Sequence, residues 1–350
     1  MRTATLLPLH DGRAPRWLFS RMVRLGGKIS EVIINEYGAE ELVRRLADSN
    51  WFQAFACALG YDWHSSGVTT VTMGALKNAL AESKDIAIAG GKGRAGTKAP
   101  EEIEKGAERL SIYSCAGALI EHSRLAAKID TAMIYDDFSI YHHSFIFAKS
   151  GKWAVVQQAM GRGSTAIRFQ WYSDFVDEKD IANEPHMHNG IASMNGKSGA
   201  TIDLTYQSNA WVRESLVEAL QNMGRNVETI TYPARHQIIP SADLTKRGME
   251  ALKNAYEKDP KDYRELLLVK GVGRKVIKSL ALVASLIYEK ELAMRDPVLY
   301  AYNVGGKDGI PYRISRSHYD KLIESFSYIV DSTNISEEEK TGIMKRLSRI

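Results

Sequence analysis

The sequence predicts an α+β protein that is mostly helical, with a small antiparallel sheet in the middle and a C-terminal helical module. Three observations predict it. Apolar residues recur at helical spacing over residues 15–82 and again over 101–133. The period then shortens to two over FSIYHHSFIFAKSGKWAVVQQAMGR (138–162). Finally, LLLVKGVGRKVIKSLALVASLIY (266–288) reads as two apolar helices joined by Gly271-Val272-Gly273.

The elements follow in order. Pro15 opens a helix carrying Trp17, Leu18, Met22, Val23 and Leu25. GAEELVRRLADSNWFQAFACALGY continues with apolar residues at Leu42, Leu46, Phe52, Phe55 and Leu59. A polar turn from Asp62 to Gly67 leads into a further helix, and GGKGRAGTKAP (90–100) reads as a Gly- and Lys-rich loop. The helical pattern returns over 101–133, with Leu110, Leu119, Leu125 and Ala126 inside. Lys149-Ser150-Gly151-Lys152 is the turn of a β-hairpin, and TAIRFQWYSDF (165–175) is a third strand. Trp153, Phe169, Trp171 and Tyr172 on this sheet are expected in the core. Residues 177–200 read as a long surface loop and TIDLTY as a short strand; helices resume over 208–330. Pro233 and Pro240 bracket a linker, and the chain divides into a helical-plus-sheet part, 1–205, and a helical part, 206–350.

Composition narrows the class. At 350 residues and 44% hydrophobic, the chain has enough apolar material for a large core, which excludes a disordered protein. A net charge of +4 is a mild basic bias, compatible with nucleic acid. The two cysteines, Cys57 and Cys115, lie in apolar contexts and read as reduced core residues, too few for a cysteine zinc site. No apolar run reaches membrane-spanning length, and MRTATLLPLHDG lacks a secretory apolar segment. The expectation is a cytoplasmic protein with no membrane partner.

The turn at 271–273 carries the chemistry. A Gly-hydrophobe-Gly turn between helices leaves backbone N–H groups at a surface that a phosphate oxygen can approach. Gly271, Val272, Gly273, Arg274 and Lys278 are therefore candidate contacts to a DNA backbone, the expected partner. Lys92 and Arg94, and Lys307 in GGKDG, extend the basic set. Neither loop has the spacing of a nucleotide-hydrolysing phosphate loop. A second constellation gathers imidazoles and carboxylates. His64, His142, His186 and Asp136 are candidate ligands for a divalent metal that would activate water against a phosphodiester. His142 and His143 share a strand, so their side chains take opposite faces.

Two resemblances follow from these residues. LLLVKGVGRKVIKSLALVASLIY…RDP is similar to the helix-hairpin-helix DNA glycosylase superfamily, which includes endonuclease III-like proteins. That likeness implies that Lys275 is a Schiff-base nucleophile at an abasic site and that Asp296 activates it. Here Asp296 follows Arg295 rather than an apolar residue, and there is no cysteine-liganded cluster. Over its length the chain also resembles a mainly archaeal prokaryotic family, domain of unknown function 763, in segments such as PLHDGRAPRWLFSRM, LGYDWHSSGVTT, GGKGRAGTKAPEEI, IYHHSFIF and GGKDGIPY. The expected function is a DNA-repair enzyme that incises the strand by glycosylase/abasic-site lyase chemistry. A metal-dependent endonuclease and a non-catalytic DNA-binding scaffold are the alternatives.

Overall fold

A computed structural model describes residues 2–8, 14–59, 66–133, 138–160, 165–176, 181–182, 201–202, 204–205, 207–226, 246–288 and 294–295. Five strands make one antiparallel sheet: β1 Arg2–Pro8, β2 Ile86–Lys92, β3 Ser139–Ala148, β4 Trp153–Met160 and β5 Thr165–Tyr172, in the order β1-β5-β4-β3-β2. The β3–β4 hairpin closes at 149–152 as the sequence predicts, with Ala148 N donating to Lys152 O at 2.9 Å. The third strand, β5, falls where TAIRFQWY placed it. Two strands of this sheet are additions to the expected fold. β1 pairs along β5 from Arg2↔Trp171 to Pro8↔Thr165, and β2 pairs along β3 from Ile86↔Ala148 to Lys92↔His142. Residues 90–92, expected in a loop, therefore end a strand. Its first five residues are buried, so IAIAG shows no alternation, and its Gly-Gly end reads as a turn.

Both faces of the sheet are covered. On one side Ile86, Ile88, Ile146, Ala148, Ala154 and Val156 pack on four N-terminal helices: α1 Arg16–Tyr37, α2 Ala39–Ala47, α3 Ser49–Ala58 and α4 Ser66–Ala79. On the other side Ala87, Ala89, Phe145, Phe147, Trp153, Val155 and Trp171 pack on later helices. Each large apolar side chain buried there contributes roughly 1.5–3 kcal/mol. Trp153, Phe169, Trp171 and Tyr172 are 2–5% exposed and belong to the core. An antiparallel sheet often leaves one face in water. Here the polar members of the alternation, His142, His143, Gln157, Gln158, Arg168 and Gln170, are buried as well.

The helices break where side chains or backbone demand it. Gly38, at φ 88°, separates α1 from α2, and the Asp48 carboxylate accepts Trp51 N at 2.9 Å at the start of α3. The pattern over 101–133 divides at Ser111, φ 60°, into α6 Ala99–Arg109 and α7 Ala116–Ala132; the short α5, Arg94–Thr97, precedes α6. Cys115, expected in the core, is exposed at this break. Among the described residues four helices follow: α8 Ala210–Asn226, α9 Lys246–Lys258, α10 Tyr263–Leu268 and α11 Arg274–Tyr288. Of TIDLTY, Thr201–Ile202 form a strand, β6, paired with β7, Met294–Arg295. One apolar cluster runs from the sheet through α6 and α7 to these last helices. No helix among the described residues is long and apolar enough to cross a membrane.

Candidate functional site

The Gly-Val-Gly segment is a tight turn between α10 and α11. Asp262 caps α10, its carboxylate accepting Arg264 N and Glu265 N at 2.9 Å each. Val269 O then accepts Val272 N at 3.1 Å. Gly271 has φ +94°, and a Cβ there would lie 3.0 Å from Ala251 Cβ in α9, so the position is closed to other residues. Val272 is 1% exposed and anchors the turn in the core. The N–H groups of Gly271 and Gly273 donate to no acceptor among the described residues. Lys275 is exposed and Lys278 half-buried on the first turns of α11.

Two side chains hold this turn against the C-terminal end of α7. Lys128 Nζ donates to Val272 O at 2.5 Å, and burial lowers its pKa. Arg274 donates from Nε to Thr131 O at 3.0 Å and from its terminal nitrogen to Phe138 O. Thr131 O is a late carbonyl of α7, where a guanidinium suits both the orphan acceptor and the helix dipole, while Phe138 O precedes β3. Arg274 is thus a tie of the turn to α7, a role its place beside the glycines did not announce.

A second feature lies further along α7. The end of β2 runs close under β3: Gly90 has φ +87°, and a Cβ there would fall 2.1 Å from His143 O. Glu102 in α6 accepts Gly90 N at 2.6 Å and Lys77 Nζ at 2.5 Å, and Lys77 also donates to Gly90 O at 2.7 Å. Beyond this knot an open cleft of ≈ 340 Å³ separates residues 93–100 from α7 and β3. Its walls include Gly96, Ser123, Arg124, Ala127 and both His142 and His143. Arg94, Lys98 and Arg124 are exposed around it, with the N-terminus of α6 between them. Lys92 is exposed too, its Nζ 5.9 Å from the Tyr141 ring centroid. The basic loop therefore borders this cleft.

Under the cleft runs a chain of buried polar groups. Ser123 Oγ lies 2.8 Å from His143 Nε2, and His143 Nδ1 lies 2.7 Å from Gln157 Oε1. Gln157 Nε2 donates to Ala126 O at 3.1 Å and to Asp130 Oδ2 at 2.5 Å. Trp171 Nε1 donates to the same carboxylate oxygen at 2.7 Å. All five residues are at most 7% exposed. Burial lowers the His143 pKa, and the hydrogen bond to the Gln157 carbonyl oxygen partly opposes that. The sequence alone does not single out Ser123 and Gln157. The signal was a serine on the apolar face of LIEHSRLAA and a glutamine inside AVVQQAM.

His142 takes the opposite face, as strand alternation requires. Its Nε2 lies 3.0 Å from Ser144 Oγ, and burial, His143, Lys92 and Lys77 hold its pKa down at about 3. No group of three His, Cys, Asp or Glu among the described residues is placed to hold a metal ion. His64, Asp136, His186, Asp296 and Lys307 lie outside the described residues.

No curated protein and no solved structure matches the chain significantly. The segments shared with one family, from the glycine-rich cleft loop to the Gly-Val-Gly turn, all fall inside the span of a single family model, "Protein of unknown function (DUF763)", which matches residues 3–314, and the chain belongs to that family.

Proposed function

We propose that the protein grips the DNA backbone through a helix-hairpin-helix formed by α10, Gly271-Val272-Gly273 and α11, and incises the strand as a glycosylase/abasic-site lyase. The observation that carries the reading is that the N–H groups of Gly271 and Gly273 meet no acceptor among the described residues, beside the N-terminus of a fifteen-residue helix. Such donors suit a phosphate oxygen and read no bases. Lys275 and Lys278 follow directly, and Lys92 and Arg94 stand ready as further phosphate contacts. Three to five such contacts correspond to a slope of log K on log salt of roughly −3 to −4. Lys275, exposed beside the turn, is the candidate Schiff-base amine.

Gly273 offers a clean test, because a Cβ there meets nothing within 4 Å. Gly273→Val is expected to keep the folded structure and to weaken binding to every DNA sequence by a similar factor, measured by fluorescence anisotropy. Unchanged affinity in folded Gly273→Val overturns the DNA reading. Borohydride trapping on abasic duplex, lost in Lys275→Gln, tests the lyase step. Incision that survives Lys275→Gln and stops with EDTA replaces it with a metal-dependent endonuclease.

A further inference from the structure

We infer that Ser123 is a nucleophile, activated by His143, for a phosphate ester seated in the cleft between residues 93–100 and α7. The hydrogen bonds leave one consistent protonation pattern. Gln157 Nε2 donates to Ala126 O and Asp130 Oδ2, which turns its carbonyl oxygen, an acceptor, toward His143 Nδ1. Nδ1 therefore carries the imidazole proton, and Nε2 presents its lone pair to Ser123 Oγ at 2.8 Å. That is the order a nucleophile, base and orienting group require. Asp130, fixed by Trp171 Nε1, anchors the far end of the chain.

Two other serines within helices behave differently. Ser279 donates to Lys275 O at 2.8 Å and Ser215 to Trp211 O at 2.6 Å, each satisfying itself on the preceding turn. Ser123 instead meets an imidazole and lines a cleft. The surroundings select the ligand. Arg124 lines the cleft, Arg94 and Lys98 are exposed on the segment that flanks it, and α6 begins there with its N-terminal dipole and with Glu101 exposed in its first turn. The Glu102 carboxylate is occupied by Gly90 N and Lys77. The site favours an anion. Where that ester is a DNA phosphodiester, the inference rests on the DNA reading above. Both features sit on α7, which carries Ser123 on the cleft and Lys128 on the Val272 carbonyl.

In the first step Nε2 takes the Ser123 hydroxyl proton as Oγ bonds to phosphorus. The bond from phosphorus to the leaving alcohol oxygen breaks, and the imidazolium Nε2–H protonates that oxygen. In the second, Nε2 deprotonates a water that attacks phosphorus; Oγ leaves and recovers the proton. One ester bond is exchanged for one P–OH, water is consumed, and nothing is oxidised.

The test uses the full chain with a fluorophosphonate probe and peptide mass spectrometry. Labelling is expected at Ser123, to vanish in Ser123→Ala, and to slow about 100-fold or more in His143→Gln. Ser123→Cys, the second variant, is expected to move reactivity to iodoacetamide at the same position, mapped apart from Cys57 and Cys115. Folded wild-type protein with Ser123 unlabelled, or His143→Gln labelled at the wild-type rate, overturns the inference. The DNA arm uses an end-labelled oligonucleotide and a denaturing gel. An adduct that maps to Ser123 supports both readings. Labelling at Ser123 without DNA binding removes the DNA reading and keeps the nucleophile. DNA binding without any Ser123 labelling does the reverse.

Discussion

His142 and His143 are neighbours on one strand, of one residue type and both buried, yet they live in different chemical worlds. His142 lies on the face that α1–α4 cover, one ring nitrogen near Ser144 and the other, Nδ1, without a hydrogen-bond partner. On the α7 side, His143 has both nitrogens engaged, in an ordered chain that ends in a carboxylate and opens at a cleft. Strand alternation assigns the faces; the helices that cover each face assign the roles. A buried histidine with an orphan nitrogen only destabilises its charged form. One held at both nitrogens has a defined tautomer and can move a proton between defined partners.

The severest way to break this comparison is to push on the backbone the two histidines share. Gly90→Ala places a Cβ 2.1 Å from His143 O at a position with φ +87°. Left-handed strain and overpacking together are expected to cost about 3 to 4 kcal/mol in chemical denaturation. A loss under 1 kcal/mol would mean that β2 does not press on β3 as described.

Removing the anchor of the His143 chain is the next largest change. Asp130→Ala leaves Gln157 Nε2 and Trp171 Nε1 short of an acceptor inside the core. A loss of about 2 to 3 kcal/mol is expected, with Asp130→Asn, which keeps a carbonyl oxygen there, losing about half. Equal losses in the two variants would show that charge, rather than acceptor geometry, holds the chain.

How much of this was legible in the sequence depends on distance along the chain. The β3–β4 hairpin was legible, because Lys149-Ser150-Gly151-Lys152 and its flanks are contiguous. Gly271 was legible too, since a glycine between two apolar helical runs signals a backbone conformation rather than a packing choice. β2 was not, because a strand buried on both faces loses its period, and its Gly-Gly end imitates a loop. The chain under the cleft draws Ser123 and Asp130 from a helix and His143, Gln157 and Trp171 from three strands. Only the register His143↔Gln157 brings the central pair together, and register is a tertiary fact. Arg274 shows the converse: its sequence context suggests a phosphate contact, while the fold supplies it with two carbonyl oxygens.

Acid sharpens the comparison more gently. The His142 pKa falls from its ordinary 6.5 to about 3, so on acidification the unfolded chain takes a proton that the folded protein refuses. The stability present above pH 6.5 is therefore lost as pH falls from 6.5 toward 3, by about 1.4 kcal/mol per unit for this one group. His143 acts in the same direction, with Gln157 opposing part of its shift. His142→Gln is expected to flatten the acid limb of stability against pH more than His143→Gln does. Denaturation series from pH 4 to 7 measure it, and equal flattening would mean that the two faces are equally hostile to charge.

The smallest expected effect lies where the open face meets the turn. Lys128 spends its ammonium on a single carbonyl, that of Val272, at 2.5 Å, and its stem lies half-buried along α7. Lys128→Met keeps the apolar stem and removes one hydrogen bond, a loss of about 1 kcal/mol near neutral pH. Burial lowers the lysine pKa, so the folded protein holds less of this proton than the unfolded chain as pH approaches 10.5. Wild-type stability thus gains from this group as pH rises through that window, and the variant does not share the gain. The difference between the two proteins is therefore expected to widen toward alkaline pH. DNA affinity separates position from charge. If Lys128 only seats the turn, Lys128→Met weakens binding slightly and leaves the salt slope unchanged. A slope smaller by about one would instead place the Lys128 ammonium on a phosphate. The tie between α7 and the turn would then have to open for DNA to bind.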